Sequence, residues 1–284
     1  MADTKKNEVV VKKDAGLPSG MEGYDLDFIT ADAGLGNEEL DANDIAIPFL
    51  GILQGLSPQV NEGKEAYIEG ARASMLFNNV TGETFEARKD GVLIVPAYYN
   101  KKWNVWLDRD SGGGLIDVYD DDSILKDTVK NAKKQSVIKD NPTMIVVETA
   151  YHYVLMLDKK TGEMQRMVIG LKSTGLRANR KFNHAITSAK VPGHPTVSAP
   201  RFMFAYNLTT FLEEKNDNSW WSPSFERVKD PVSRSVYDEA KSYYELVKGG
   251  NIKIAEEPSD GNYTNGSGNQ SGEKSDVNED EIPF

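Results

Sequence analysis

Unpaired nucleic-acid strands are held by flat aromatic rings set among cations, since every base offers a π face and every nucleotide a phosphate. One segment of the 284-residue chain has this makeup: Tyr98-Tyr99-Asn100-Lys101-Lys102-Trp103-Asn104-Val105-Trp106-Leu107-Asp108-Arg109. Its composition reads as strand, so Lys102, Asn104 and Trp106 share one side while Trp103 faces the other. At least one indole is therefore expected in the core. Tyr98, Tyr99, Lys101, Lys102, Trp103, Trp106 and Arg109 are the candidate contacts, with Trp103 and Tyr99 favoured over Trp106 as stacking rings.

The second feature is electrostatic. From Leu171 to Arg201 there are 31 residues without one Asp or Glu, carrying Lys172, Arg177, Arg180, Lys181, Lys190 and Arg201. On a helix, Arg177, Arg180 and Lys181 stand at i, i+3 and i+4 and share one face. Ordinary surfaces mix the two signs, so this run is read as a phosphate-contacting surface, with Lys172, Arg177, Arg180, Lys181 and Arg201 as its site residues.

The net charge of −11 argues against a nucleic-acid binder until it is divided along the chain. Residues 1–45 carry −7 and residues 256–284 another −7, which leaves +3 for the body between them. A mildly basic body between acidic ends is a different object from a uniformly acidic protein.

Catalytic patterns are scarce. His152, His184 and His194 lack metal-ligand spacing. Asp117, Asp120, Asp121 and Asp122 have the chemistry to hold Mg²⁺ in a nuclease but crowd into one short loop. The chain contains no P-loop, nucleophile elbow or dinucleotide fingerprint, so no enzyme activity and no cofactor are expected. Cysteine is absent, which excludes disulfides and thiolate zinc sites and fits a reducing cytoplasm. No apolar run reaches membrane-spanning length and the N-terminus lacks a signal-peptide core, so no membrane association is expected.

These candidates need elements to position them. Ala71–Asn78, Gly91–Tyr99 and Lys102–Leu107 read as strands, and Thr143–Leu157 as one bent strand or two consecutive ones. The turn Asp158–Gly162 sends Glu163–Leu171 back as a hairpin partner. A helix is expected over Ser173–Ala189, then strands over Arg201–Leu212 and Ser219–Phe225 around the turn Glu214–Asn218. Asp230-Pro231 is expected to open a last helix, which Gly249-Gly250 stops. Asp108–Asn141 reads as a long polar insertion. Strands, hairpin, helix and a final strand pair predict a mainly β fold with helices (α+β), an elaborated OB-fold-like barrel. The divisions are a flexible acidic segment 1–43, a core 44–255 and an acidic tail 256–284, disordered from about Pro258. Within the core, Tyr151, Tyr153, Phe202, Phe204 and Tyr206 are read as buried rather than stacking rings. Asp44–Phe49 (DIAIPF) is read as the opening of a strand or as packing in the core.

The terminus is the most specific signal. Glu279, Asp280 and Glu281 stand beside an apolar hook, Ile282-Pro283-Phe284, that ends in a free carboxylate behind a Gly/Ser/Asn linker. Such a peptide seats its phenyl ring in an apolar pocket while basic residues at the rim hold its carboxylates, and the linker provides reach. This tail resembles that of bacterial single-stranded-DNA-binding proteins, with mixed Glu and Asp in place of an aspartate run. The body is similar instead to the longer single-stranded-DNA-binding proteins of tailed bacteriophages, through DIAIPFLGILQGLSPQV, the KKWNVWLDR…GGG run and STGLRANRKFN. The resemblance implies sequence-independent binding of single-stranded DNA in the host cytoplasm. It also implies recruitment of replication and recombination proteins (polymerase, helicase or primase, nuclease) through Glu279 to Phe284. A homo-oligomer is compatible with it. The alternatives from other classes are a virion structural or assembly protein and a Mg²⁺-dependent single-strand nuclease. The acid-free run is also a docking place for the tail within the chain itself, so removing residues 258–284 is expected to tighten DNA binding in a low-salt titration; unchanged affinity would refute that competition.

Overall fold

The computed structural model describes residues 35–37, 39, 46–159, 161–215, 218–250 and 252–255. The chain divides into two units, Met1–Asp41 and Ala42–Phe284, and the architecture that follows is that of the second.

Five long strands make its centre: β5 (Val92–Leu107), β9 (Asn141–Leu157), β10 (Met164–Lys172), β13 (Phe204–Lys215) and β14 (Asn218–Pro231). They lie in the order β14-β13-β5-β9-β10, every neighbouring pair antiparallel. The two strands expected over Gly91–Tyr99 and Lys102–Leu107 are one. A bulge between Pro96 and Tyr98 takes up the irregularity, and such a bulge bends a strand without ending it. Ahead of them come β1 (Ala46–Ile47) and then β2 (Leu50–Ile52), β3 (Leu76–Asn78) and β4 (Thr84–Phe85), the last three forming a sheet in the order β2-β3-β4. Only the end of the strand expected over Ala71–Asn78 forms, because Ser74 turns the backbone at φ 88°.

The Asp108–Asn141 insertion is ordered. It carries β6 (Leu115–Tyr119), β7 (Thr128–Lys130) and β8 (Ser136–Ile138), which extend the main sheet beside the outer halves of β5 and β9. The remaining elements are α1 (Gly175–Thr187), the small hairpin β11 (Lys190–Val191) and β12 (His194–Ser198), α2 (Arg234–Lys248) and β15 (Lys253–Ile254). Pro231 does not open the last helix. It closes β14 opposite Phe204, and among the described residues β14 pairs only with β13, so a proline there interrupts no further ladder.

Both faces of the central sheet are covered, and β9 shows why its sequence is apolar without alternation. Ala150, Val154 and Met156 pack with Phe182 and Ile186 of α1. Tyr151, Tyr153 and Leu155 pack with Ala240, Tyr243 and Val247 of α2. The five rings read as core, Tyr151, Tyr153, Phe202, Phe204 and Tyr206, are all buried, as are Ile47 and Phe49 of the DIAIPF stretch. The fold is thus α+β and mostly strand. No pairing among the described strands closes it into the expected barrel: α1 packs on both β10 and β14, the two strands whose union would complete it.

Gly91 marks the tightest approach in the sheet. Its φ is +59°, and an added Cβ would stand 2.5 Å from the Leu208 carbonyl oxygen of β13. Gly91→Ala therefore combines backbone strain with a clash against main chain, and a loss of about 2 kcal/mol is expected in urea unfolding. A loss below about half of that would show that β13 yields easily there.

Candidate nucleic-acid interface

The break in pairing along β9 makes room for a concavity. β8 leaves off with Ser136 opposite Val146, and β10 ends with Lys172 opposite Thr149. A cleft of about 860 Å³ opens at this gap. Because the sheet is interrupted, residues from both of its faces reach the lining, so Trp103 and Trp106 both line it although they point to opposite sides of β5.

Of the two, Trp103 is the buried one, at 8% exposure, packed with Val105 and Val146. Its ring is covered by Lys101, whose Nζ lies 4.6 Å from the centroid and 3.7 Å from Glu148. Trp106 is half-buried, with the Lys172 Nζ 4.5 Å from its ring centroid. Of the rings favoured for stacking, Trp103 is thus less accessible than Trp106, while Tyr99 is half-buried as Trp106 is. Tyr98 leans on Tyr153 and Tyr244. Tyr99 packs against both His152 and the Arg201 guanidinium. Lys102 pairs with Asp120 at 3.0 Å. The side chain of Arg109 and the tail residues Glu279 to Phe284 lie outside the described residues.

The acid-free run divides into two environments. α1 buries Asn179, Phe182 and Ile186 against the sheet, so the opposite face presents Arg177, Arg180, Lys181 and His184 to solvent. These side chains are spaced over about 10 Å of helix axis. The helix begins at the cleft, where Ser173 and Leu176 belong to the lining. Arg201 lies elsewhere, beneath α1. It donates to His152 Nδ1 at 2.7 Å and to Asn183 Oδ1 at 3.1 Å, while Asn179 Oδ1 is 2.8 Å from His152 Nε2. Burial lowers the Arg201 pKa to about 10. Burial, reinforced by the Arg201 charge, lowers that of His152 to about 3, so His152 is neutral and accepts from the arginine.

Sequence reading missed the opposite wall of the cleft. Lys130, Lys133 and Lys134 border it from the β7–β8 hairpin, and Gly112, Gly113 and Gly114 from the turn before β6. Their signal was present as three lysines within five residues, masked by the acids elsewhere in the insertion. Those acids have local roles. Asp121 accepts from the Ser123 N–H as the cap of the 3-10 turn Asp122–Asp127, and its bonds to Ser123, side chain first, hold its carboxyl below the usual range. Among the described residues, no three His, Asp or Glu side chains are placed to hold a metal ion, and no helix is long and apolar enough to cross a membrane.

No match is found among curated proteins or among solved structures. A family model described as Pam3 phage gp34-like protein matches residues 20–253, and on this match the chain, with its cleft and its cationic helix, belongs to that phage protein family.

Proposed function

We propose that this protein binds single-stranded DNA without strong sequence preference, protecting exposed strands in the host cytoplasm during phage replication and recombination, and that its C-terminal tip recruits replication proteins. The observation that carries the reading is the meeting of a half-buried indole, a cleft and an acid-free helix face. Trp106 and Lys172 line the cleft, and α1 leads away from it with Arg177, Arg180 and Lys181 outward. Stacking platforms beside a cationic track are the requirements for sequence-tolerant binding of single strands.

The strand order supports an enlarged OB fold as the scaffold. The order β14-β13-β5-β9-β10 with α1 after the third strand is that of a five-stranded Greek-key barrel left open between its third and fifth strands. OB folds bind oligonucleotides across the second and third strands and the loops joining strands one to two and four to five. Here those are β9 and β10, the β6–β8 insertion, and the β13–β14 turn.

Tryptophan fluorescence titrated with oligo(dT), against a duplex of equal length at two salt concentrations, tests the reading. Quenching by the single strand that weakens with salt is the expected result. A second reading, a virion-assembly role, draws on β6, where Leu115, Ile116 and Val118 are 41%, 49% and 39% exposed. It predicts no fluorescence response and no mobility shift.

A further inference from the structure

We infer that discrimination between single-stranded and double-stranded DNA resides in the cleft beside Trp106, which takes a short stretch of about two nucleotides with their bases unstacked, while the α1 face holds phosphates of either form. The inference rests on the proposed DNA binding and assigns its selectivity to one place.

Three observations carry it. The first is size. At about 860 Å³ the cleft lies within the range of small-molecule pockets, roughly 300–1,000 Å³. A double helix is too wide to enter it, whereas an unpaired base with its sugar fits. The second is chemistry. Lys172 is 6% exposed, so a buried cation stands on an indole at the wall of the cleft. Lys130, Lys133 and Lys134 border the same space together with Asp108, Asp110 and Glu148, and Ile145 and Leu176 add apolar surface to it. The Trp106 ring for a base and the Lys130, Lys133 and Lys134 ammonium groups for its phosphate are the parts a nucleotide needs. The third is the opposite wall. Gly113 and Gly114 have φ values of +70° and +102°, and a Cβ built on either meets nothing within 4 Å. Backbone without side chains leaves room for a sugar-phosphate chain to approach closely.

The α1 face differs in kind. Arg177, Arg180 and Lys181 project into open solvent, and phosphate contacts alone do not read strandedness. Bases inside a duplex are stacked on each other and are not offered to Trp106. The selective element and the attractive element are therefore separable.

Affinities for a 20-nucleotide oligo(dT) and for a duplex of the same length, measured by anisotropy for the wild-type chain, Trp106→Leu and Arg177→Glu/Arg180→Glu, separate them. Trp106→Leu should weaken oligo(dT) binding about tenfold and move duplex binding far less, so the ratio collapses. The double reversal should weaken both by similar factors and hold the ratio. An unchanged ratio in Trp106→Leu overturns the inference and leaves the proposed function standing. A wild-type chain that does not prefer the single strand overturns the function itself. Should Trp106→Leu fail to fold, as read from its thermal midpoint, the dinucleotide pd(TpT) titrated onto the wild-type chain decides. Saturable quenching that competes with oligo(dT) supports the cleft, and no response at millimolar dinucleotide overturns it.

Discussion

Reversing Arg177, Arg180 and Lys181 to glutamate should lower affinity for oligo(dT) on the order of a hundredfold at low salt, and should reduce the slope of log affinity against log salt by about 2. The reasoning is counterion release. Each phosphate neutralised on a single strand contributes about 0.7 to that slope, so losing three contacts removes close to 2. The three side chains share the exposed face of α1, opposite Phe182 and Ile186, so the change touches no packed group. Stability should therefore stay within about 0.5 kcal/mol of the wild type, as is usual for surface substitutions. The measurement is a titration at four or more salt concentrations with thermal unfolding in parallel. Equal slopes for variant and wild type would show that α1 does not track the backbone of the strand, whatever happens at the cleft.

The second large effect is on stability and is set by His152. The side chain is fully buried, with the Arg201 guanidinium donating to Nδ1, and its pKa lies at about 3 in the folded chain against 6.5 unperturbed. Above pH 6.5 the imidazole is neutral whether folded or unfolded, and the full stability is present. As the pH falls below 6.5 the unfolded chain takes up a proton that the folded chain refuses until about pH 3, so stability drops throughout that window. Each pH unit is worth about 1.4 kcal/mol. Between pH 7 and pH 5 the loss should come to about 2 kcal/mol, before most carboxylates begin to titrate. Urea unfolding at both pH values measures it, with His152→Gln as the comparison. The glutamine variant should be less stable at pH 7, because Arg201 and Asn179 lose the ring they hold. It should also show a much smaller drop on acidification. An equal drop in both proteins would place the acid sensitivity elsewhere.

The same network explains why Arg201, read from sequence as a phosphate contact, stands in a different environment from Arg177. In the linear chain both are arginines in an acid-free run. Position in the run carries no information about depth, and depth is decided by where β13 begins under α1. Burial then draws Arg201 to His152 and Asn183, because a buried guanidinium needs acceptors.

Local chemistry was enough to specify much of this protein. The acid-free run, the i, i+3, i+4 spacing of Arg177, Arg180 and Lys181, and the unbroken apolar stretch of β9 all depend on neighbours close in sequence. The helix over Gly175–Thr187 and the hairpin of β9 with β10 follow from them. The division into acidic ends and a mildly basic body is a property of composition alone. The tertiary structure decided the rest, since each remaining question turned on contacts between distant segments. Whether β5 broke between Tyr99 and Lys102 depended on its pairing along all of β9, which runs through that point without interruption. Whether Pro231 began a helix depended on Phe204 standing opposite it. Whether Trp103 or Trp106 was the accessible indole could not be read from alternation, which only sets them on opposite faces. The outcome followed from the insertion folding back as β6–β8, which packs Tyr119, Ile124 and Ile138 on Trp103 and leaves Trp106 half-buried in the lining of the cleft.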